Sequence, residues 1–387
     1  MNTGKPTPEL IFRCPYGDAC GGCGLNRLPY AEQLANKQAL VARLLKPYGA
    51  VEPIRGMAMP LFYRNKVHAV FAEDRRGTLV SGVYRQGTHR VVPVERCLIE
   101  DRRAQAIIAT VRSLARDFGY PAFDEDRGTG FLRHALVRAG KREIMLVLVT
   151  AALAFPHKTA FLKALLLRHP EITTVVQNVN DRHTSMVLGR RMQTLHGKGY
   201  IEDTLCGMTF RISPASFYQV NSVQTEVLYA LAAEMADLHG TETVVDAYCG
   251  VGTIGLSMAA RCGRLIGVEL NAAAVRDAQG NAKRNEVVNA RFFEADAGRF
   301  LQQCALDRAT VDVLLMDPPR TGSDSTFLNA VLSIRPAKVV YISCDPATLA
   351  RDVQVLVKGG YAMRRAVPVD MFPATEHVEV AVQLVRT

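Results

Sequence analysis

Five short stretches of the 387-residue sequence hold side chains whose types and spacing could do chemistry. In Ser343-Cys344-Asp345-Pro346, an N-cap aspartate and a proline at the first helical position follow directly on a thiol. A thiol there meets the positive end of a helix dipole, which favours the thiolate. Lone cysteines are more often small buried core residues, and Cys249 and Cys262 are read that way. Cys344 ends an expected strand at the ligand edge of a parallel sheet and is read as a nucleophile. In Glu376-His377-Val378-Glu379, strand alternation places His377 and Glu379 on one face. Glu379, deeper in the strand, is the candidate base.

The stretch Asp246-Ala247-Tyr248-Cys249-Gly250-Val251-Gly252-Thr253-Ile254-Gly255 lets the backbone turn tightly beneath a ligand. It lacks the G-x-G-x-x-G spacing that cradles a pyrophosphate. Its leading acid, and Glu269 placed to hold ribose hydroxyls, suit a cationic nucleoside, and S-adenosylmethionine fits. Asp296 could reach the adenine or simply cap a helix. In Met316-Asp317-Pro318-Pro319-Arg320 the prolines fix an extended turn, with Asp317 facing the cofactor or the reacting base. Amino-group methylating enzymes commonly carry an aromatic after the two prolines; Arg320 suits anionic RNA better. A thiolate beside a methyl donor points to C5 of a pyrimidine, a poor nucleophile until a thiolate adds to C6. A base must then remove the C5 proton so that elimination frees the enzyme.

The fifth stretch is Cys14-x5-Cys20-Gly-Gly-Cys23, with Cys97 as a possible fourth ligand. Four thiolates can hold a [4Fe–4S] cluster or a zinc ion. Because the covalent route needs no redox step, a structural staple is the simpler role. The count of nine cysteines is odd and no signal peptide opens the sequence, which argues against a disulfide framework. With no apolar run of membrane-spanning length, the expectation is a soluble, cytoplasmic protein with no membrane partner and no obligate protein partner. Residues 1–205 carry 30 Lys+Arg against 18 Asp+Glu, and residues 206–387 carry 17 against 19. A basic half joined to a neutral half suggests a polyanion-binding module attached to a catalytic one.

These residues need elements to position them. Periodicity predicts helices at 30–48, 102–118 and 157–168, with Tyr30, Leu34, Val41, Leu45 and Tyr48 forming the apolar face of the first. Strands are expected at 66–72, 79–84, 90–94, 131–138, 144–150, 172–179 and 185–188. After Phe217, helices at 220–238, 253–262, 272–285, 297–304, 324–333 and 346–358 alternate with strands at 243–247, 264–269, 290–294, 311–316 and 338–343. Two last strands, near 361–369 and 377–385, pair antiparallel at one edge. The fold class expected is α/β: a C-terminal Rossmann-like methyltransferase domain, a central α+β RNA-binding domain and an N-terminal cysteine-cluster segment. The boundaries expected are 1–100, 101–205 and 206–387.

Together with Ser216-Phe217-Tyr218-Gln219-Val220-Asn221, these motifs make the chain resemble the RNA m5U methyltransferase family over nearly its whole length. That family methylates uracil C5 in tRNA and 23S rRNA from S-adenosylmethionine. The resemblance implies cofactor contacts at Gln219, Tyr248, Glu269 and Asp317, a nucleophile at Cys344 and a base at Glu379. Tyr248 stands where a phenylalanine is often found. The resemblance also implies a [4Fe–4S] cluster on Cys14, Cys20, Cys23 and Cys97. Bacterial tRNA-modifying members lack these cysteines, and the member acting at position 1939 of 23S rRNA carries an RNA-binding domain before its first cluster cysteine. Only 13 residues precede Cys14. The partner expected by subtraction is therefore 23S rRNA, at uridine 747.

Overall fold

In the computed structural model, residues 10–182, 184 and 186–387 are described. A one-turn helix α1 (Gly17–Cys20) and a longer α2 (Tyr30–Leu45) open the chain. The buried face of α2 is less apolar than its spacing suggests: Gln33 and Lys37 are buried beside Tyr30, Val41 and Leu45. Lys37 Nζ meets Asp370 Oδ1 at 2.6 Å, and Tyr30 donates to Asp370 Oδ2 at 2.8 Å. Burial pulls the lysine pKa down while Asp370 holds it up. The charges are tolerated inside because each is paired and hydrogen-bonded. This polar knot fastens α2 to the loop before the last strand.

Strands β1 (Lys66–Glu73), β2 (Leu79–Tyr84) and β3 (Val91–Pro93) lead to α3 (Arg102–Asp117). Then follow β4 (Leu132–Ala139), β5 (Ile144–Thr150), α4 (Lys158–Arg168), β6 (Ile172–Val179) and β7 (Arg191–His196). They form one sheet in the order β3-β2-β1-β4-β5-β6-β7, crossing the boundary expected at residue 100. All pairings are antiparallel except β5–β6, which α4 joins as a crossover. Apolar faces of α3 and α4, including Ile107, Val111, Phe161 and Leu165, pack on Val67, Val137, Leu146 and Leu148. The strand expected at 185–188 does not form over 186–188, and Ser185 lies outside the described residues. The edge strand is instead β7, a mostly exposed run whose composition lacks an apolar alternation. A hairpin of β8 (Ile201–Leu205) and β9 (Met208–Ile212) follows, turning through Cys206 and Gly207 at φ 51° and 80°.

The remaining chain alternates as its pattern demands: α5 (Ser222–Ala236), β10 (Thr243–Ala247), α6 (Thr253–Met258), β11 (Arg264–Glu269), α7 (Ala272–Arg284) and β12 (Ala290–Glu294). After these come α8 (Ala297–Leu306), β13 (Val313–Met316), α9 (Ser325–Ile334), β14 (Lys338–Ser343), α10 (Pro346–Lys358), β15 (Tyr361–Val369) and β16 (Glu379–Arg386). Apolar strands such as Val313–Met316 are buried on both faces, as a sheet covered by helices on two sides requires. The order is β12-β11-β10-β13-β14-β16-β15, with β16 antiparallel to β14 and β15. The order reverses beside β10, and there the carboxyl ends of β10 and β13 open a crevice for ligand. Among the described residues no helix is long and apolar enough to cross a membrane.

Candidate active site

The glycine turn after β10 is held from below by Asp246, which is 1% exposed. Its Oδ2 accepts from the Gly255 N–H at 2.9 Å, and a Cβ on Gly255 would stand 2.7 Å from that oxygen. No other residue fits there. Tyr248, Gly250 and Gly252 take φ of 64°, 55° and 84°, a sharp turn that leaves the Tyr248 ring 5.1 Å from Phe327. Glu269, at the end of β11, accepts from the N–H groups of Gly250 (3.1 Å) and Asn271 (2.7 Å) and so pins two loops together. Asp296 caps α8, accepting from the Arg299 N–H at 2.9 Å.

Three carboxyls thus crowd the crevice. Burial pushes Asp246 up to about 7 against its bond from Gly255, with Asp317 and Glu269 adding repulsion. Burial likewise pushes Asp317 up to about 7. A cation placed here would relieve all three, which is what a sulfonium-bearing cofactor offers. Gln219 lies in the segment before α5. Its carbonyl accepts from Asn65 Nδ2 at 3.0 Å, and Asn221 both caps α5 and donates to the Met371 carbonyl at 2.9 Å. That segment links the central sheet to the loop leading into β16.

At the ends of β13, β14 and β16 the structure brings Asp317, Cys344 and Glu379 together. As the spacing predicts, Asp345 caps α10 through the N–H groups of Ala347 and Thr348, with Pro346 at its start. The helix end does not win the thiol, however. Burial pushes Cys344 up to about 11, with Glu379 and Asp317 adding, while Arg320 and a backbone N–H oppose. Glu379, 4% exposed, is pushed up to about 8 by burial and Asp317, again opposed by Arg320. His377 and Glu379 do not share a face. β16 begins at Glu379, and His377 sits exposed in the loop, where its Nδ1 accepts from Arg320 Nη2 at 2.7 Å. Sequence spacing missed this pair, since residues 320 and 377 meet only through the sheet order. It also missed Phe217, a large aromatic left 72% exposed in the segment beside Gln219. An aromatic in a polar, glycine-free loop was the available signal.

The N-terminal cysteines belong to a segment that packs against the loop between β15 and β16. Cys14, Cys20, Cys23 and Cys97 are unbonded and partly exposed. Cys23 is pushed up to about 11 by burial and by the neighbouring Cys20 and Cys14, and Cys97 to about 12 by burial, with Glu100 and Cys23 contributing. Cys23 thus has Cys14, Cys20 and Cys97 as neighbours, thiols of the kind that bind a thiolate-held metal group. Among the described residues no three such side chains stand close enough to ligate a single ion. The segment docks on the catalytic loop: Leu25 N–H donates to the Ala374 carbonyl at 2.9 Å and Tyr63 to that of Pro373 at 3.0 Å.

A family model described as tRNA (uracil-5-)-methyltransferase matches residues 184–387, the half that holds the glycine turn, Cys344 and Glu379. An uncharacterized RNA methyltransferase of Bacillus cereus is 41% identical over 380 residues, 96% of this chain and 82% of the relative. The chain belongs to the tRNA (uracil-5-)-methyltransferase family. Another relative, an uncharacterized RNA methyltransferase of Halalkalibacterium halodurans, is 41% identical over 98% of this chain and 84% of its own. Among solved structures, the Pyrococcus abyssi tRNA (uracil-54, C5)-methyltransferase in complex with S-adenosyl-L-homocysteine is similar at TM-score 0.79. It is 28% identical and covers 94% of this chain and 86% of its own. The Rossmann-like methyltransferase architecture expected from the alternating pattern is therefore the family's, and the central sheet falls within the likeness.

Proposed function

We propose that this chain methylates C5 of a uridine in 23S rRNA, at position 747, with Cys344 as nucleophile and Glu379 as base. The observation that carries the chemistry is the convergence of Cys344, Glu379, Asp317 and Arg320 at one sheet edge beside an acidic crevice. Gln219, Tyr248, Glu269 and Asp317 would hold S-adenosylmethionine, which supplies the methyl group. Asp246 positions the turn from below.

The protein's own groups do the rest. The Cys344 thiolate adds to C6 of the uracil, and the C5–C6 π electrons move onto C5 and O4 as an enolate. With C5 methylated, the Glu379 carboxylate takes the C5 proton. The electron pair re-forms the double bond and the C6–S bond breaks, returning the thiolate. Arg320, the one cation in the cluster, favours the ionised forms of both Cys344 and Glu379. Neutralising Asp317 with a bound cation would remove one of the charges that raise both pKa values. The target base must leave its stack to reach Cys344, which suits a loop uridine.

The pH dependence follows in sign. Both the thiol, at about 11, and the carboxyl, at about 8, must be deprotonated. The expected result is a turnover rate that climbs steeply from about pH 6 to the Glu379 value and more gently beyond it, towards the Cys344 value. A rate that falls across that window would remove Glu379 from the role of base.

We further propose a [4Fe–4S] cluster on Cys14, Cys20, Cys23 and Cys97, serving as a staple. Its support is the grouping of Cys14, Cys20 and Cys97 around Cys23 and the docking of their segment on the loop before Glu379. Cys20→Ser is expected to lose brown absorbance and melt several degrees lower, while the folded fraction still methylates RNA. A colourless, zinc-containing wild type prepared without oxygen would contradict the iron–sulfur assignment.

The likeness to the Pyrococcus abyssi enzyme favours a second reading, tRNA uridine 54. Position 1939 of 23S rRNA is a third. Equal amounts of unmodified 23S rRNA and tRNA transcripts, with the modified position mapped by mass spectrometry, separate them. Methyl at 747 alone supports the first reading; methyl in tRNA or at 1939 overturns it and keeps the chemistry.

A further inference from the structure

On the sheet face opposite α3 and α4, β1 and β4 present a row of basic side chains, in which burial pulls the histidines down and keeps them neutral. Lys66 lies directly across from Arg138 in the antiparallel register, and the His68 and His134 rings meet diagonally at 4.9 Å. Arg64 extends the row, its Nε donating to the Lys66 carbonyl at 3.2 Å. Several polar atoms here are buried without a hydrogen bond: His68 Nε2, His134 Nδ1 and Arg138 Nε. Arg138 and His134 are each only 4% exposed. Lys66 Nζ has no hydrogen-bond or ion-pair partner among the described residues.

The nearby acids do not compensate this row. Asp203 lines the small cavity beside Arg138, but its oxygens already accept from Tyr218 Oη at 3.2 Å and the Lys141 N–H at 2.9 Å. Glu100 faces Arg64 and Cys97, and burial pushes it up to about 7. Burial, with Arg138 and Arg64 adding, accordingly pulls Lys66 down to about 8. Half-buried positive charge without a counter-charge opposes folding, and an arriving anion would reverse that.

The row also lies under the segment that reaches the catalytic loop. Arg138 donates to the Ser216 carbonyl, and Asn65 donates to the Gln219 carbonyl at 3.0 Å and Ser222 Oγ at 2.9 Å. We propose that Lys66, flanked by Arg138 and Arg64, binds a phosphodiester of the substrate RNA and so seats the strand against residues 214–222. This rests on the RNA-methyltransferase reading above. A phosphodiester brings one negative charge and acceptor oxygens to the Lys66 ammonium, which has none, and it recurs at every nucleotide of such a substrate.

The test compares wild type, Lys66→Met and Lys66→Arg. Binding of a labelled 23S rRNA fragment and a tRNA transcript is followed by anisotropy across about 50 to 300 mM KCl. Losing one phosphate contact should weaken both RNAs about 5- to 20-fold and flatten the salt slope by about 0.7. Lys66→Arg should bind within about twofold of wild type, and Lys66→Met should melt no lower than wild type. Wild-type affinity and slope in Lys66→Met would overturn the proposal, as would a melting temperature several degrees lower, which marks a structural lysine. Inorganic phosphate stabilising wild type but not Lys66→Met, with RNA affinity equal in both, would assign the site to a free anion and overturn the RNA partner. If wild type binds both RNAs through Lys66 yet methylates neither, the phosphate site stands and the substrate reading falls.

Discussion

Cys344→Ala is expected to lower methyl transfer by about 10⁴-fold or more while S-adenosylmethionine still binds within about twofold. The reason is electronic: C5 of uracil attacks a methyl donor only once a nucleophile has added at C6, and in the Cys344–Glu379–Asp317 cluster Cys344 is the thiol. The cofactor crevice should survive, because Asp246, Glu269 and the glycine turn are held by bonds that do not involve Cys344. Removing a small thiol that burial, Glu379 and Asp317 already hold protonated also costs the fold little. Equilibrium binding of labelled cofactor, beside single-turnover methyl transfer, checks both halves. Turnover at the wild-type rate would contradict the covalent route.

Glu379→Gln is expected to trap the enzyme on its RNA. Addition at C6 and methylation at C5 need no base, whereas elimination needs the C5 proton removed. Loss of a positioned base costs about 10² to 10⁴ in rate, so a covalent protein–RNA species that survives denaturing electrophoresis should accumulate. It should form about once per active site and carry the methyl label. Glutamine keeps the shape of a side chain that is 4% exposed and removes its charge, so folding is spared. The same change removes one cause of the raised Cys344 thiol, so adduct formation itself should not slow. Absence of adduct, with product released at the wild-type rate, would assign the proton to another group.

Much of this site was legible because its chemistry lies at element ends that the sequence marks clearly. Alternation located β14, Asp345-Pro346 marked the start of α10, and the cysteine between them could be placed at a sheet edge. The glycine turn was visible for a similar reason, since Gly255 sits where any side chain would meet Asp246. Long-range pairings were not legible. Arg320 finds His377, and Lys37 finds Asp370, only after β16 inserts between β14 and β15. The central sheet was harder for another reason: its edge strand β7 is polar and exposed, so periodicity put a strand at 185–188 instead. The thiol's environment was misjudged because a helix dipole is a local property, while the burial that pushes the thiol up, and the two carboxyls that add to it, come from tertiary packing and other strands.

The most direct test of the central claim follows the hydrogen that must leave. RNA transcribed with tritium at C5 of every uridine is incubated with the protein and S-adenosylmethionine carrying a carbon label, and release of tritium to water is counted against methyl incorporated. The account predicts one tritium released per methyl transferred, and neither tritium release nor methyl gain from Cys344→Ala. Methyl incorporated while C5 keeps its tritium would place the methyl elsewhere on the RNA and contradict uracil-C5 chemistry by this chain.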